Sequence, residues 1–153
     1  MALREISRSY VLRKSADQAV ANSTTLTDDT DLSFAVTASR TYCFRLSIPF
    51  NLAGVVSGYK FQLSLPSGLT SLVWNGQVYN AVSLALVSVQ VLTSVTVISG
   101  ALATSGDHLL QMEGTVEVGG TGGSLTLQFA QNTSSGSAIT VKKNATMIVQ
   151  EAY

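Results

Sequence analysis

The sequence predicts an all-β fold, a single antiparallel jelly-roll-like β-sandwich of about eight strands with an N-terminal arm. Three observations lead to this prediction. Apolar and polar side chains alternate with a period of two over several segments. No segment keeps the periodicity of a helix. Glycine, proline and asparagine separate the alternating segments at intervals that a sandwich requires.

Composition limits the size of the fold and the partners of the chain. The 153 residues fit one domain that can bury a core. Charged residues make up 12%, against about 25% in ordinary soluble domains, so much of the surface is uncharged or is covered by other subunits. Nine basic and nine acidic residues cancel, and we therefore expect neither a nucleic acid nor a membrane as partner.

Residues 1–15 are predicted to form the arm, and residues 16–153 the sandwich domain. The arm holds four of the nine basic residues of the chain, and it lacks the apolar segment of a signal peptide. A solvated, partly disordered terminus is one interpretation. We favour the other, an arm that becomes ordered on a negatively charged partner surface.

The first predicted strand contains Leu32, Phe34 and Val36, which alternate with polar residues. The acidic residues Asp28, Asp29 and Asp31 precede it. Clustered carboxylates can bind calcium, but the glycine and the distant glutamate of a calcium loop are missing, so we interpret the cluster as an exposed acidic turn.

Residues 41–50 form the second predicted strand, with Tyr42, Phe44, Leu46 and Ile48 on one face. The turn before it is short, so we expect the first two strands to pair antiparallel. Pro49 marks the end of the strand or an edge position, since proline cannot donate a ladder hydrogen bond.

A third strand over residues 59–65 ends at a Pro-Ser-Gly turn. The pattern then loosens, and we expect a bent connection in which Trp74 and Tyr79 close one end of a barrel or contact another subunit. Residues 80–104 carry no charge. Their serine, threonine and β-branched content favours two buried strands over a membrane helix. Because the alternation slips by one at Val87, we predict a bulge or a turn there.

Residues 106–131 show the strongest alternation in the chain. Leu110, Met112, Val116 and Val118 alternate with polar residues before the glycine-rich hinge at residues 119–123, and a second alternating segment follows the hinge. We predict a β-hairpin with one apolar face. A last strand pair, or one bent strand, then spans Ile139 to Val149.

Residues that could carry catalysis are few. Cys43 lies in a strand-like run, where we expect a small buried hydrophobe, and His108 is expected to be a hydrogen-bonding surface residue. The two lack the flanking signature of a catalytic pair. Glu113 and Glu117 lie four residues apart on one strand, about 13 Å, which is too far for a glycosidase. The sequence therefore predicts neither an enzyme nor a cofactor or metal site.

Two segments resemble a known family. Residues 11–36, VLRKSADQAVANSTTLTDDTDLSFAV, resemble the opening of a widespread set of small virion proteins of tailed bacteriophages. Residues 113–142 are similar to the later signature of that set, an EG strand, a glycine-rich hinge and the pattern LQFAQNTS followed by TVK. The middle of the chain, residues 67–104, diverges more.

The resemblance implies a β-rich module that assembles as a homotrimer on the virion exterior, made in the cytoplasm of a bacterial host. We favour a capsid decoration protein, or cement protein, that binds the major capsid protein and bridges its neighbouring subunits. The alternative is a tail-fibre module that recognises a host glycan or protein.

Particular residues follow from the two functions. The capsid-contact candidates are Arg4, Arg8, Tyr10, Arg13 and Lys14. If one face of the predicted hairpin packs on sister subunits, the trimer-contact candidates are Thr115, Glu117, Thr126 and Gln128. For the tail-fibre alternative, Trp74 and Tyr79 are the candidates on ligand-binding loops.

Overall fold

The computed structural model describes residues 8–80, 85–92 and 97–152. These residues contain twelve strands. They are β1 (Ser9–Arg13), β2 (Gln18–Val20), β3 (Thr27–Val36), β4 (Thr41–Leu52), β5 (Tyr59–Ser64), β6 (Leu69–Asn80), β7 (Ala85–Leu92), β8 (Ile98–Gly100), β9 (Gly106–Val118), β10 (Gly123–Ala130), β11 (Ile139–Val141) and β12 (Thr146–Ala152).

The strands form two antiparallel sheets, which confirms the predicted sandwich class. The larger sheet has the order β1-β12-β4-β9-β6-β7, with β11 beside β4 and β2 beside β11. The smaller sheet has the order β3-β10-β5-β8. The sequence pattern missed β1, β2 and β6, so the predicted number of strands was too low.

The core lies between the two sheets and follows the alternation of the sequence. In β4 every even-numbered residue from Tyr42 to Leu52 is buried, and its odd-numbered neighbours are more exposed. Leu125, Leu127 and Phe129 of β10 are fully buried against this face. The period-two pattern therefore identifies the inner face of each sheet correctly.

The predicted hairpin over residues 106–131 is wrong in its pairing. β9 pairs with β4 and β6 in the larger sheet, whereas β10 pairs with β3 and β5 in the smaller sheet. The glycine-rich hinge carries the chain from one sheet to the other. A Cβ atom at Gly119 would lie 2.1 Å from the carbonyl oxygen of Gly68, and one at Gly122 would lie 2.8 Å from that of Val36. The crossing therefore requires glycine because backbones approach closely there.

The predicted pairing of the first two strands is wrong for the same reason. β3 belongs to the smaller sheet and β4 to the larger one. Ser39 turns the chain between them with a positive φ of 58°. Its backbone N–H donates to the carbonyl oxygen of Gly119 at 2.8 Å. The two crossings thus support each other at one end of the sandwich.

Pro49 lies inside β4 and not at its end. On one side of β4, the ladder with β12 ends at Ser47 and the ladder with β11 starts at Phe50. Pro49 therefore faces the break between these two partner strands. Its carbonyl oxygen accepts from the N–H of Lys142 at 2.9 Å. Because N–H and C=O of one strand residue point to the same side, the missing donor faces this break, where no ladder bond is lost.

The expected bent connection is the regular strand β6. Trp74 is buried beside Gly114, where an added Cβ would lie 2.5 Å from the Cβ of Trp74. The predicted bulge is confirmed, because β6 pairs Val78 with Ser88 and Tyr79 with Leu86, which leaves Val87 unpaired. Residues 81–84 and 93–96 of the uncharged run lie outside the described residues.

Part of the predicted arm belongs to the sandwich. Residues 9–13 are the edge strand β1, which pairs with β12. Lys14 follows it and is 1% exposed, so its proposed contact with a capsid surface is corrected. Its ammonium group lies 2.9 Å from Asp29 Oδ2 and also donates to Gln18 Oε1 at 2.9 Å.

The acidic cluster is an irregular part of β3 and not an exposed turn. Residues 29–32 lie opposite the single residue Leu127 of β10. Asp29 is buried, and its Oδ1 accepts from the backbone N–H groups of Asp31 and Leu32. Asp29 therefore stabilises the bulge through Oδ1, while its Oδ2 contacts the ammonium group of Lys14.

Removal of the Lys14 ammonium group is expected to leave a buried, unpaired carboxylate. We predict that Lys14→Met lowers the free energy of unfolding by about 3–5 kcal/mol in urea denaturation. Lys14→Met combined with Asp29→Asn should recover most of this loss, since asparagine keeps an acceptor for the two N–H groups. The exposed Lys143→Met is the control, with a change within about 0.5 kcal/mol. A loss no larger than that of the control would contradict the structural role of the pair.

Candidate functional site

The capsid-contact candidates do not form one surface. Arg4 lies outside the described residues. Arg8 and Tyr10 line a cleft at the edge of the sandwich. The guanidinium group of Arg13 donates to Asn144 Oδ1, and Lys14 lies inside the protein.

The trimer-contact candidates lie on two different sheets. Thr115 and Glu117 of β9 are exposed on the outer face of the larger sheet. Thr126 and Gln128 belong to the smaller sheet. Thr126 is buried and bonded to Ser33 Oγ at 2.7 Å, and Gln128 donates to Asp28 Oδ1 at 2.7 Å. The hairpin face proposed to join all four residues does not exist, because β9 and β10 do not pair.

The candidates for a ligand-binding loop lie on a strand. Trp74 is 2% exposed and belongs to the core. Tyr79 is half-buried on the outer face, where its hydroxyl contacts Gln77. The structure therefore corrects the interpretation of both residues as loop aromatics.

The possible catalytic residues are also separated. Cys43 is exposed, contrary to the expected buried hydrophobe, and lies opposite Thr115 of β9. His108 lies opposite Phe50, seven residues further along β4 and on the inner face. Among the described residues, no three His, Cys, Asp or Glu side chains are grouped as a metal site.

The outer face of the larger sheet is the most extensive candidate surface. Seven large apolar or aromatic residues are exposed in the described part of the chain, and four of them lie on this face. These four are Val11, Val73, Leu86 and Ile148. A groove of about 570 Å³ crosses the middle of the face, and Val73 and Ile148 contribute to its lining. The arrangement suits contact with another protein surface better than the binding of a small charged ligand.

Strand register places the side chains of this face in rows. One row runs from Val11 through Ile148, Arg45 and Glu113 to Asn75. Arg45 Nη2 and Glu113 Oε2 lie 3.3 Å apart, but their side chains are 73% and 52% exposed. Such a pair contributes little stability in water. In the described part of this face, exposed apolar side chains therefore surround one ion pair.

The sequence contained a signal for this surface that alternation alone did not use. Each exposed apolar residue of the face is the middle one of three consecutive apolar residues: Val11, Val73, Leu86 and Ile148. Successive strand residues point to opposite faces, so three in a row must place at least one apolar side chain outside the core. Three consecutive apolar residues in a predicted strand therefore indicate an exposed apolar surface.

His108 has an unusual environment for a titratable group. It is 2% exposed, and its ring centroid lies 5.4 Å from that of Phe50. Neither ring nitrogen makes a hydrogen bond of normal geometry with a described residue. Burial lowers the pKa of His108 below its ordinary value of 6.5, and the Thr104 carbonyl and the Asp107 carboxylate offset this only in part. The expectation of a surface histidine is therefore wrong.

The pKa of two carboxyl groups near β2 is lowered too. The backbone N–H of Lys143 donates to Asp17 at 2.6 Å, and that of Ser15 donates to Asp31 at 2.8 Å. These bonds are the main cause that holds each pKa below 3.8. The stability that these two groups contribute is present above pH 3.8 and is lost as the pH falls below it.

Acidification should destabilise the protein through His108. In the unfolded chain, His108 binds a proton near pH 6.5, whereas in the folded chain it does so only at a lower pH. The free energy of unfolding should therefore fall as the pH drops from 6.5, by at most about 1.4 kcal/mol per pH unit. His108→Leu should flatten the profile between pH 6.5 and about 5, above the range of Asp17 and Asp31. Urea denaturation at each pH measures the free energy of unfolding of both proteins. Identical profiles for both proteins would exclude His108 as the cause.

No helix in the described part of the chain has the length and hydropathy needed to cross a membrane.

Comparison with known proteins gives only distant structural similarity. No protein-family model and no curated protein matches the sequence. The chain is similar to a structure of the Gt strain of infectious bursal disease virus, with a TM-score of 0.24, 10% identity and coverage of 96% of this chain and 38% of that one. For the VP2 subviral particle of the same virus, the TM-score is 0.24, the identity 10% and the coverage 96% and 40%. The chain thus spans about two fifths of these proteins, and a similarity at this level supports no functional argument.

Proposed function

We propose that this chain is a structural protein of a tailed-bacteriophage virion. In this proposal, it forms a homotrimer that binds the outer capsid surface and bridges neighbouring capsid subunits. The outer face of the larger sheet carries the proposal, because its exposed apolar residues favour burial against a partner surface. The resemblance of residues 11–36 and 113–142 to phage virion proteins supplies the class of particle.

The proposed mechanism is mechanical. A bound trimer adds contacts between capsid subunits, so outward pressure from packaged DNA must break more contacts before the shell opens. In a closed ring of three, each contact joins two different surfaces of neighbouring subunits. We assign the outer face of the larger sheet, which includes Thr115 and Glu117, to one side of that contact.

Receptor recognition at a fibre tip has less support. Its two candidates, Trp74 and Tyr79, lie on β6 and not on loops, and Trp74 is buried. No other observation on the described residues favours a glycan site, so capsid decoration is the function that we propose.

A charge on the outer face should break the proposed trimer. Val73 is 52% exposed, and Val73→Glu would place a carboxylate in the contact, where its desolvation is unfavourable. Light scattering should give the mass of three 16.1 kDa chains for the wild-type protein and of one chain for the variant. Val56→Glu is the matched control, because Val56 is 68% exposed in the turn after β4, and it should remain trimeric. A trimeric Val73→Glu protein would exclude this face from the contact.

The number of copies in purified particles tests the location. A decoration protein should be present in numbers that scale with the capsid subunits, and quantitative mass spectrometry of intact particles and isolated tails measures this ratio. We expect the protein in the heads. Recovery with the tails, in a few copies per particle, would favour the fibre module and contradict our proposal.

A further inference from the structure

The strand β1 forms an open edge of the larger sheet. It stands at the end of the strand order, and among the described strands it pairs with β12 alone. An open edge presents N–H and C=O groups that can bond to another strand, and soluble proteins usually protect it with charges or proline. Residues 9–12 of β1 are Ser-Tyr-Val-Leu and contain neither. This edge can therefore accept a further strand.

The bonds between β1 and β12 show which backbone groups face outwards. The N–H of Glu151 donates to the carbonyl oxygen of Arg8 at 3.1 Å. At the other end, the N–H of Lys14 donates to the carbonyl oxygen of Ala145 at 2.8 Å. Successive residues of an antiparallel strand direct their backbone groups alternately to either side, so the even-numbered residues bond to β12. The residues whose N–H and C=O groups face the open edge are Ser9, Val11 and Arg13.

The side chains of β1 are incompletely covered on both sides of the sheet. On the outer face, Val11 is 67% exposed, the highest value among the exposed large apolar side chains that the structure describes in strands. On the inner face, Tyr10 is 37% exposed, although its ring centroid lies 4.9 Å from that of Phe34. Leu12 is partly buried against the core. A strand added at this edge would cover apolar side chains on both faces.

We propose that this edge pairs antiparallel with β1 of a second copy of the chain, about a two-fold axis at Val11. The outward-facing residues are spaced evenly about Val11, so each of them meets an outward-facing residue of the other copy. Each such pair exchanges two hydrogen bonds. Val11 then faces Val11, and Tyr10 faces Leu12. Every apolar side chain of β1 thus meets an apolar side chain of the second copy.

The sequence of β1 fits this register better than the neighbouring ones. A shift by two residues keeps the hydrogen-bonding pattern, but it places Val11 opposite Ser9 or Arg13 and shortens the paired segment. In the proposed register Arg13 faces Ser9, so no like charges lie opposite each other. The guanidinium group of Arg13 donates to Asn144 Oδ1 of its own chain at 3.0 Å, which holds its charge on its own subunit.

The β1 pairing differs from the proposed trimer contact and goes beyond it, since a two-fold contact joins two identical surfaces and closes at two copies. Strands of 5 residues bury far less than the about 800 Å² per partner of a stable interface, so free chains should pair only at high concentration. Copies held side by side on a particle have a high effective concentration. There, β1 joins the larger sheets of neighbouring copies into one.

Engineered cysteines test the register in the isolated protein, with the exposed Cys43 replaced by serine. In Val11→Cys, two thiols face each other across the axis, with Cα atoms about 5.5 Å apart, within the range that a disulfide spans. Mild oxidation of concentrated protein should convert at least several-fold more Val11→Cys than Val56→Cys into covalent dimers on a denaturing gel. Val56 is the matched control because it is 68% exposed in the turn after β4.

Two further cysteine variants determine the direction of pairing. Ser9→Cys alone should give no more dimers than the control, because its two copies would lie about 13 Å apart. A mixture of Ser9→Cys and Arg13→Cys should cross-link, since these positions face each other. Equal dimer yields from Val11→Cys and Val56→Cys would overturn the proposal. Stronger cross-linking of Ser9→Cys to itself than to Arg13→Cys would overturn it too.

Val11→Pro tests the pairing without a cross-link. Proline removes an N–H that faces the open edge and leaves the bonds to β12 intact. The NMR amide signals of Ser9 and Arg13 should shift with concentration in the wild-type protein and in Val11→Thr, a control that keeps the N–H. They should stay constant in Val11→Pro. Equal shifts in Val11→Pro, or no shifts in the wild-type protein, would contradict the pairing.

Capsid shells that lack this protein distinguish a second copy from a capsid strand as the partner of the edge. With a second copy as partner, Val11→Pro should still bind shells at low occupancy, and Val11→Cys should cross-link more on filled shells than in solution. Loss of shell binding by Val11→Pro, without cross-links of Val11→Cys, would assign the edge to a capsid strand and refute the proposal. Cross-linking in solution without shell binding would refute the decoration function and leave the β1 pairing standing.

Discussion

The structure depends on the contact between two apolar sheet faces, and the chain maintains that contact by crossing between the sheets at most of its connections. From β2 to β6, each successive strand changes sheet, and so do β9 and β10. A strand and its successor therefore meet through side chains across the core and not through backbone hydrogen bonds. This arrangement requires tight corners, which explains the close backbone approaches at Gly119 and Gly122.

The sequence predicted the strands better than their partners. Alternation in β9 identifies its inner residues because burial decides which face is apolar. It contains no information on which backbone the strand will pair with, so the hairpin and the first strand pair were predicted wrongly. Pro49 shows the same limit, since a local rule placed it at an edge, whereas two distant segments, β11 and β12, leave the break that accommodates it.

The candidate surfaces could be predicted only in part. Lys14 belongs to a basic terminus and was expected to meet a partner, but its partner is Asp29 of the same chain, and only the tertiary structure brings them together. Cys43 was expected in the core because small apolar residues usually are. The bulge at Val87 was predicted because a slip in alternation is a local property. The edge cleft combines residues from three separate segments, around Arg8, Arg40 and Glu151, and no sequence pattern joins them.

The pairing of β1 with β12 has a consequence for biosynthesis. It joins residues 9–13 to residues 146–150, so this edge of the larger sheet cannot close until the distant segment has left the ribosome. Contacts between such distant segments slow folding because a long loop must be ordered first. Until then, the edge of β4 that pairs with β12 is unpaired and can associate with other chains. This edge of the larger sheet therefore stays open to association with other chains until β12 has been synthesised.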